Sequence, residues 1–108
     1  MIFQVNVSPP AIADIENIYL WLKAQNSTFA DQWFNELTQA IDSLEQLPAR
    51  CPLAPESQEL DREVRQLLCR TSKKMIVRIL FGIAGSQVSV YRVRHTSQQY
   101  LSKEDFDL

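Results

Sequence analysis

The chain has 108 residues, 45% of them hydrophobic and 22% charged, which indicates one folded domain over residues 1–108 and argues against intrinsic disorder. No run of ~20 apolar residues and no signal peptide pattern is present, so we predict no membrane span and a cytoplasmic location. Cys51 and Cys69 are far apart and the chain has a single His, so neither a disulfide framework, a metal site nor a cofactor is predicted.

Charge is distributed unevenly along the chain, although the net charge is only −2. The first 59 residues carry two basic and eight acidic side chains, a net of −6, whereas residues 60–108 carry nine basic and five acidic side chains, a net of +4. A surface of this polarity attracts anions whatever the total charge of the chain. A solvated sheet balanced by a solvated helical face would show the same asymmetry, so charge alone identifies no partner.

The N-terminal segment predicts a strand that leads directly into a helix. Residues 2–7 alternate apolar and polar side chains, which is typical of a strand whose Phe3, Val5 and Val7 face the interior. Ser8 precedes two prolines and can cap a helix, since the first helical turn tolerates residues without an amide hydrogen. Apolar residues then recur at helical spacing and form one broad stripe.

A second helix is predicted after a short polar break, with Thr28 and Asp31 forming a capping box. Its apolar stripe continues until Pro48 ends the helix. Two amphipathic helices joined by about three residues form an antiparallel hairpin. Trp21 and Trp33 lie one on each helix, and we expect both to anchor the core.

The second half of the chain predicts three strands connected by tight turns. Residues 49–61 are rich in proline and lack periodicity, so we expect a loop there. The middle strand is almost continuously apolar apart from Arg78, which is typical of a central strand covered by helices on one face. We expect the polar tail from residue 97 to be ordered only in part. The strands are predicted over residues 64–70, 75–83 and 88–95, with turns at 71–73 and 84–86.

Together these elements predict an α+β fold of order β-α-α-β-β-β. The helical hairpin packs on one face of a twisted, mostly antiparallel sheet, because both helical stripes need an apolar partner. The opposite face of the sheet is expected to remain partly open and to carry much of the basic set.

The basic side chains of the C-terminal half are the candidates for chemistry. Two glycines are too few for a glycine-rich phosphate loop, and no Ser or Cys stands in a recognisable nucleophile setting. RNA cleavage by the ribose 2′-hydroxyl needs a proton acceptor, cations that stabilise the phosphorane, and a proton donor for the leaving 5′-oxygen. Arginine suits the second task and a lone histidine suits either proton transfer. The candidates are Arg65, Arg70, Lys73, Lys74, Arg78, Arg92, Arg94 and His95.

The same residues have a simpler explanation. A single His at a strand end is commonly an exposed or structural residue. Arg78 could equally project into solvent from the uncovered face of the sheet. The inventory is compatible with RNA cleavage but does not require it.

Several segments, taken together over residues 3 to about 96, resemble the RelE/ParE superfamily of type II toxins, also described as plasmid stabilisation proteins. Each segment is weak by itself, but their order and spacing are specific. They are the opening strand running into Ser8-Pro9, the Ala13-Asp14-Ile15 segment, a second helix leading to Leu47-Pro48, Val64-Arg65-Gln66-Leu67, Arg78-Ile79-Leu80-Phe81 and the strand from Val88 to His95.

The resemblance implies a growth-inhibiting toxin and a cognate antitoxin that wraps the toxin and covers its basic surface. Members of the superfamily cleave mRNA at the ribosome or poison DNA gyrase. In the cleaving members, basic residues on the central strands and a His or Tyr near the C-terminus act on the scissile phosphate. Arg65, Arg78 and His95 match those places, which implies a metal-independent endoribonuclease. The remaining basic residues, Arg70, Lys73, Lys74, Arg92 and Arg94, would then bind RNA or another target.

The segment after His95 departs from the pattern of many relatives, in which a further Arg or an immediate Tyr follows. Ribosome-dependent mRNA cleavage remains the first hypothesis, because Arg65, Arg78 and His95 are all present. The two alternatives are a ParE-like inhibitor of gyrase that cuts no nucleic acid and a non-toxic module that only binds its antitoxin. The oligomeric state, including a homodimer, is left open.

Overall fold

The computed structural model describes residues 1–98, and the part of the predicted tail from residue 99 onward lies outside them. Two 3-10 turns, Ser43–Glu45 and Pro48–Arg50, follow the helical hairpin. No helix among residues 1–98 is long and apolar enough to cross a lipid bilayer. The elements are β1 (Gln4–Val7), α1 (Pro9–Gln25), α2 (Ser27–Asp42), α3 (Glu56–Leu60), β2 (Arg65–Ser72), β3 (Met75–Ala84) and β4 (Gln87–His95).

The four strands form one mixed sheet in the order β1-β4-β3-β2. The last three strands are joined by hairpins and pair antiparallel, and Gly85 takes the positive φ that the second hairpin turn requires. β1 lies parallel to β4, with Val5 opposite Val88. The predicted α+β fold, with a helical hairpin against a mostly antiparallel sheet, is confirmed.

The predicted cap of α1 is confirmed, and the same residue also joins the helix to β4. The Ser8 side chain accepts a hydrogen bond from the Ala11 amide at 3.3 Å, while its hydroxyl donates to the Tyr91 carbonyl at 2.9 Å. The Ser8 backbone N–H donates to the Val90 carbonyl at 3.0 Å. A register shift opposite Leu80 makes Tyr91 the extra residue of a β-bulge, which turns its carbonyl towards Ser8.

The predicted capping box of α2 is wrong, because the helix begins one residue earlier than Thr28. Asn26 is the cap, and its Oδ1 accepts the Phe29 amide at 3.0 Å. Asn26 also donates its own N–H to the Leu22 carbonyl at 2.8 Å and so closes α1. One residue therefore ends the first helix and starts the second, which makes the connection shorter than the polar segment suggests.

The main core lies between the helical hairpin and one face of the sheet. Trp33, Leu37 and Phe81 are among its fully buried side chains. Val5 and Val7 of β1, and Phe3 just before it, pack against this core as predicted. The prediction for Trp21 is wrong, since 61% of this residue is exposed. Trp21 precedes the buried Leu22 and therefore projects ~100° away from it around the helix.

The second face of the sheet, predicted to be partly open, is covered at its centre but exposed at β2, where Leu68 and Arg70 face solvent. Leu80 of β3 is buried at the centre with Ala54 and Val64, and Leu60 of α3 packs against them. The cover comes from the proline-rich segment predicted to be a loop, which contains the five-residue helix α3. A helix of little more than one turn shows no periodicity, so the sequence pattern did not reveal it.

We predict that Trp33→Ala lowers the free energy of unfolding by about 3–5 kcal/mol, because it removes a fully buried ring and leaves a cavity. Trp21→Ala is the matched control and is expected to lower it by less than about 1 kcal/mol, since most of this ring is exposed. Urea unfolding followed by far-ultraviolet circular dichroism measures both changes. Similar losses for the two variants would contradict this assignment of the core.

Candidate functional site

Arg78 lies at the centre of β3 beneath α3, and only 4% of the residue is exposed. Its guanidinium makes two hydrogen bonds to the Glu56 carboxylate, from Nη2 to Oε1 at 2.6 Å and from Nη1 to Oε2 at 3.0 Å. Its Nε donates to the Gln66 side-chain oxygen at 3.0 Å. Glu56 is itself 2% exposed, so both charges are neutralised inside the protein. A phosphate could reach this guanidinium only if α3 moved away.

Arg92 pairs with Asp14 of α1 at the place where β4 extends beyond β1. The two bonds run from Nε to Oδ2 at 2.7 Å and from Nη2 to Oδ1 at 2.9 Å. The same carboxylate accepts the Val93 backbone amide at 3.0 Å. Because β1 pairs with β4 only as far as Val90, Asp14 replaces a strand partner for that amide. Arg92 therefore serves to fasten α1 to the sheet.

Arg65 begins β2 and holds the proline-rich segment in place. Its Nη1 donates to the Cys51 carbonyl at 2.7 Å and lies 3.4 Å from the Ala49 carbonyl. The Glu63 carboxylate is 3.7 Å from Nη2 and is largely exposed, so this ion pair contributes little to stability. The Arg65 side chain remains 20% exposed, and only this part of it is open to a ligand.

His95 stands at the end of β4 with both ring nitrogens in contact with the protein. Nε2 lies 3.0 Å from the Lys74 carbonyl, which can only accept a hydrogen bond, so Nε2 carries the proton. The Ser97 amide can only donate and lies 3.1 Å from Nδ1, so Nδ1 is an acceptor. These contacts together define the neutral Nε2–H tautomer. A proton transfer to or from a substrate would break one of them.

The remaining candidates differ in exposure. Arg70, Lys73 and Lys74 are exposed at the end of β2 and in the turn that follows it. Arg94 is partly buried on β4 and lies opposite Arg78 in the sheet register. The exposed candidate cations, Arg70, Lys73 and Lys74, therefore lie together at one corner of the sheet.

The sheet keeps apart the three residues that the resemblance matches to a nuclease centre, Arg65, Arg78 and His95. Arg65 lies opposite Phe81 and His95 lies opposite Val77, and these two positions on β3 are ~13 Å apart. Phe81 and Val77 both face the helical hairpin. Arg78 follows Val77 in the strand and so projects from the opposite face, towards α3.

The two cysteines do not supply a nucleophile. Both side chains are buried, and burial raises the pKa of the Cys51 and Cys69 thiols. The nearby Arg50 and Arg65 lower the pKa of Cys51 by less than burial raises it. Among residues 1–98, no three His, Cys, Asp or Glu side chains lie where they could hold a metal ion.

The sequence indicated the cations but not the acids that bind two of them. Asp14 had a detectable signal, because it is a polar residue beside the apolar stripe of α1 and belongs to the Ala13-Asp14-Ile15 segment. Glu56 had none, since it lies in a proline-rich stretch without periodicity. Its partner Arg78 is 22 residues further along the chain.

Comparison with known proteins gives a matching family model and several matching solved structures. The family model of the ParE toxin of the type II toxin–antitoxin system parDE matches residues 5–100. A solved structure described as a chromosomal ParDE TA system from P. aeruginosa aligns with a TM-score of 0.66 and 16% identity, covering 87% of this chain and 96% of that chain. At 16% identity, this match shows a similar fold and nothing further. The search of curated proteins gave no match.

We predict that Glu56→Leu lowers the free energy of unfolding by about 3–5 kcal/mol, because it leaves the Arg78 charge buried without its carboxylate. Adding Arg78→Met should restore most of that loss, since the buried charge is then removed as well. Glu63→Gln, which removes the exposed partner of Arg65, is the control and should change stability by less than about 1 kcal/mol. Urea unfolding of the four proteins tests the assignment, and a mild effect of Glu56→Leu would contradict it.

Proposed function

The chain belongs to the ParE toxin family of type II toxin–antitoxin systems, and from this membership we propose that it inhibits growth by binding DNA gyrase and not by cutting RNA. The observation that carries the proposal is that two arginines of the candidate set are bound by carboxylates of the same chain. Arg78 is held by Glu56 and Arg92 by Asp14, each through two hydrogen bonds.

Phosphoryl chemistry needs cations whose donors can turn to the developing charge on the phosphorane. A guanidinium that already makes two bonds to a buried carboxylate has no such freedom without loss of a strong ion pair. The other requirement is a proton acceptor and a proton donor on opposite sides of one phosphate. His95 and Arg78 lie on opposite faces of the sheet, which disfavours their action on the same phosphate.

An inhibitor that binds its target needs a surface and no proton transfer. The exposed cations at the end of β2 and in the following turn provide such a surface: Arg70, Lys73 and Lys74. An antitoxin paired with this toxin would neutralise the same cations, so inhibition of the target and capture by the antitoxin would exclude each other.

One observation favours the second candidate function, mRNA cleavage at the ribosome. His95 lies at the rim of the sheet beside Lys74, to whose carbonyl its ring is bound, and Lys73 and Lys74 are exposed. If the Ser97 contact opened, the imidazole would stand next to cations that can hold a phosphate. In this version Lys73 and Lys74 bind the phosphate while His95 transfers the proton.

Two assays with the purified chain separate these functions. We predict that the toxin abolishes plasmid supercoiling by gyrase and that a reporter mRNA stays intact during in vitro translation with the same toxin. His95→Ala should inhibit gyrase within about threefold of the wild type, a difference below 1 kcal/mol, because binding needs no proton transfer. Lys73→Glu combined with Lys74→Glu should weaken inhibition by about tenfold or more through charge reversal.

Two results together would contradict gyrase inhibition: supercoiling that is undiminished at excess toxin, and mRNA cleavage that the wild type shows and His95→Ala lacks. Growth arrest when the chain is induced alone is the companion measurement. Growth without arrest, together with inactivity in both assays, would leave a module that only binds its antitoxin.

A further inference from the structure

Trp21 projects from α1 near the end of β4, and 61% of this residue is exposed. Its indole borders a pocket of about 230 Å³, which we call the Trp21 pocket. Ile18 and Met75 pack in the main core and also contribute apolar surface to the pocket. An exposed ring is thus continuous with a recessed apolar surface. The residues that line the pocket are Ile18, Trp21, Met75, His95, Ser97 and Gln98.

The contact between α1 and β4 determines where this indole lies. Asp14 accepts the Val93 amide at 3.0 Å, which fastens the first half of the helix to the strand. Ile18 and Trp21 follow on the same side of α1, four and seven residues further along, and meet the end of the strand at His95. The Trp21 pocket is therefore formed where the helical hairpin is already fixed to the sheet.

Positive charge adjoins the Trp21 pocket. The His95 ring lies 3.0 Å from the Lys74 carbonyl, so the turn that contains Lys73 and Lys74 borders the pocket. Both lysines are exposed. Of the described residues that line the pocket, none is acidic. A segment that places a side chain in the pocket would lie beside these cations, which favours carboxylates in that segment.

The volume of the pocket favours one side chain of a protein over a small molecule. Sites for small molecules commonly measure about 300–1,000 Å³, and the Trp21 pocket is smaller. Trp is also among the residues that most often contribute the largest share of the binding energy at protein interfaces, because its ring buries a large area on contact. An exposed Trp beside a small apolar pocket is therefore typical of a surface that binds another protein.

We propose that Trp21 is the anchor of the surface that binds gyrase, and that it packs against a large apolar side chain from an acidic segment of that protein. This rests on the gyrase inhibition proposed above. Carboxylates beside the apolar side chain would face Lys73 and Lys74. Exposed ion pairs alone contribute little to affinity, so the ring supplies most of the binding energy and the lysines direct the encounter.

Other occupants fit the pocket less well. A second copy that used the same surface in a symmetric dimer would bring the lysines of both copies together, and like charges repel. A single-stranded nucleic acid could stack a base on the indole, but the net charge of −2 opposes the approach of its phosphates. A segment of the antitoxin could have the same chemistry as the gyrase segment, but inhibition of gyrase without antitoxin depends only on contacts with gyrase.

Supercoiling assays and binding of the full chain to immobilised gyrase test Trp21 against its neighbour in the helix. We expect Trp21→Ala to raise the Kd, and the concentration needed for half inhibition, by about thirtyfold, the size expected for an interface anchor. Leu20→Ala is the matched control and should change both by less than about threefold. Leu20 is 62% exposed but projects ~100° away around α1 and does not line the pocket.

Two further variants connect the loss to the ring and not to the fold. Trp21→Phe keeps a flat ring beside the pocket and should lose less than about tenfold in affinity. His95 forms only one side of the pocket, so His95→Ala keeps the indole and should bind nearly as well as the wild type. Urea unfolding shows whether each variant is as stable as the wild type. Inhibition by Trp21→Ala that equals the wild type, or an equal loss in Leu20→Ala, would overturn the proposal.

Growth arrest on induction separates failure of this inference from failure of the proposed target. If the wild type arrests growth but leaves gyrase active, gyrase is not the target. Loss of arrest in Trp21→Ala but not in Leu20→Ala would then still support Trp21 as the anchor, on a different target, whereas arrest by both variants would overturn it. A wild type that neither arrests growth nor inhibits gyrase would overturn both proposals.

The fluorescence of the indole identifies the other occupants. The chain has two Trp residues, and Trp33 is fully buried, so acrylamide quenches mainly Trp21. Protection from acrylamide that grows with toxin concentration alone would indicate a second copy, and protection by a ten-nucleotide polyuridylate would indicate nucleic acid. Either result would overturn the acidic protein segment as occupant. Unchanged quenching in both experiments is the expected result.

Discussion

The bidentate pair between Glu56 and Arg78 determines how the second face of the sheet is closed. An arginine at the centre of a buried strand needs a carboxylate at short range, because a buried charge without a partner is strongly destabilising. Glu56 meets this need from α3, and the proline-rich segment that carries α3 is thereby held over Leu80. The same segment reaches the outer edge of β2, where Arg65 binds the Cys51 carbonyl.

A second carboxylate has a comparable role on the other side of the sheet. Where β1 ends, β4 would expose an unpaired amide, and Asp14 accepts that amide while it binds Arg92. Ser8 supports the same junction through the Tyr91 carbonyl at the bulge. Asp14 of α1 and its cap Ser8 therefore complete the hydrogen bonding of β4, which β1 pairs with over only part of its length. This arrangement positions the helical hairpin over the core.

These pairs divide the basic residues into two groups with different consequences. Arg78 and Arg92 stabilise the fold, and their guanidinium groups are occupied. Arg70, Lys73 and Lys74 face solvent and give one corner of the sheet its positive potential. The function proposed for this ParE-family chain depends on the second group, since a binding surface needs accessible charge.

The order of the four strands and the two long helices, the helical hairpin, the cap at Ser8 and the positions of the strands to within one or two residues could be predicted from the sequence. These features depend on local periodicity and on the chemistry of a few adjacent residues. The partners of Arg78 and Arg92 could not be predicted, because Glu56 and Asp14 lie 22 and 78 residues away in the chain. The same limit explains Trp21, whose exposure depends on how α1 is rotated against the sheet. The sequence by itself determined which cations are present and on which strands they lie. Only the tertiary structure decided which of them are neutralised inside the protein and which remain available to a partner, because burial and ion pairing depend on contacts between distant segments.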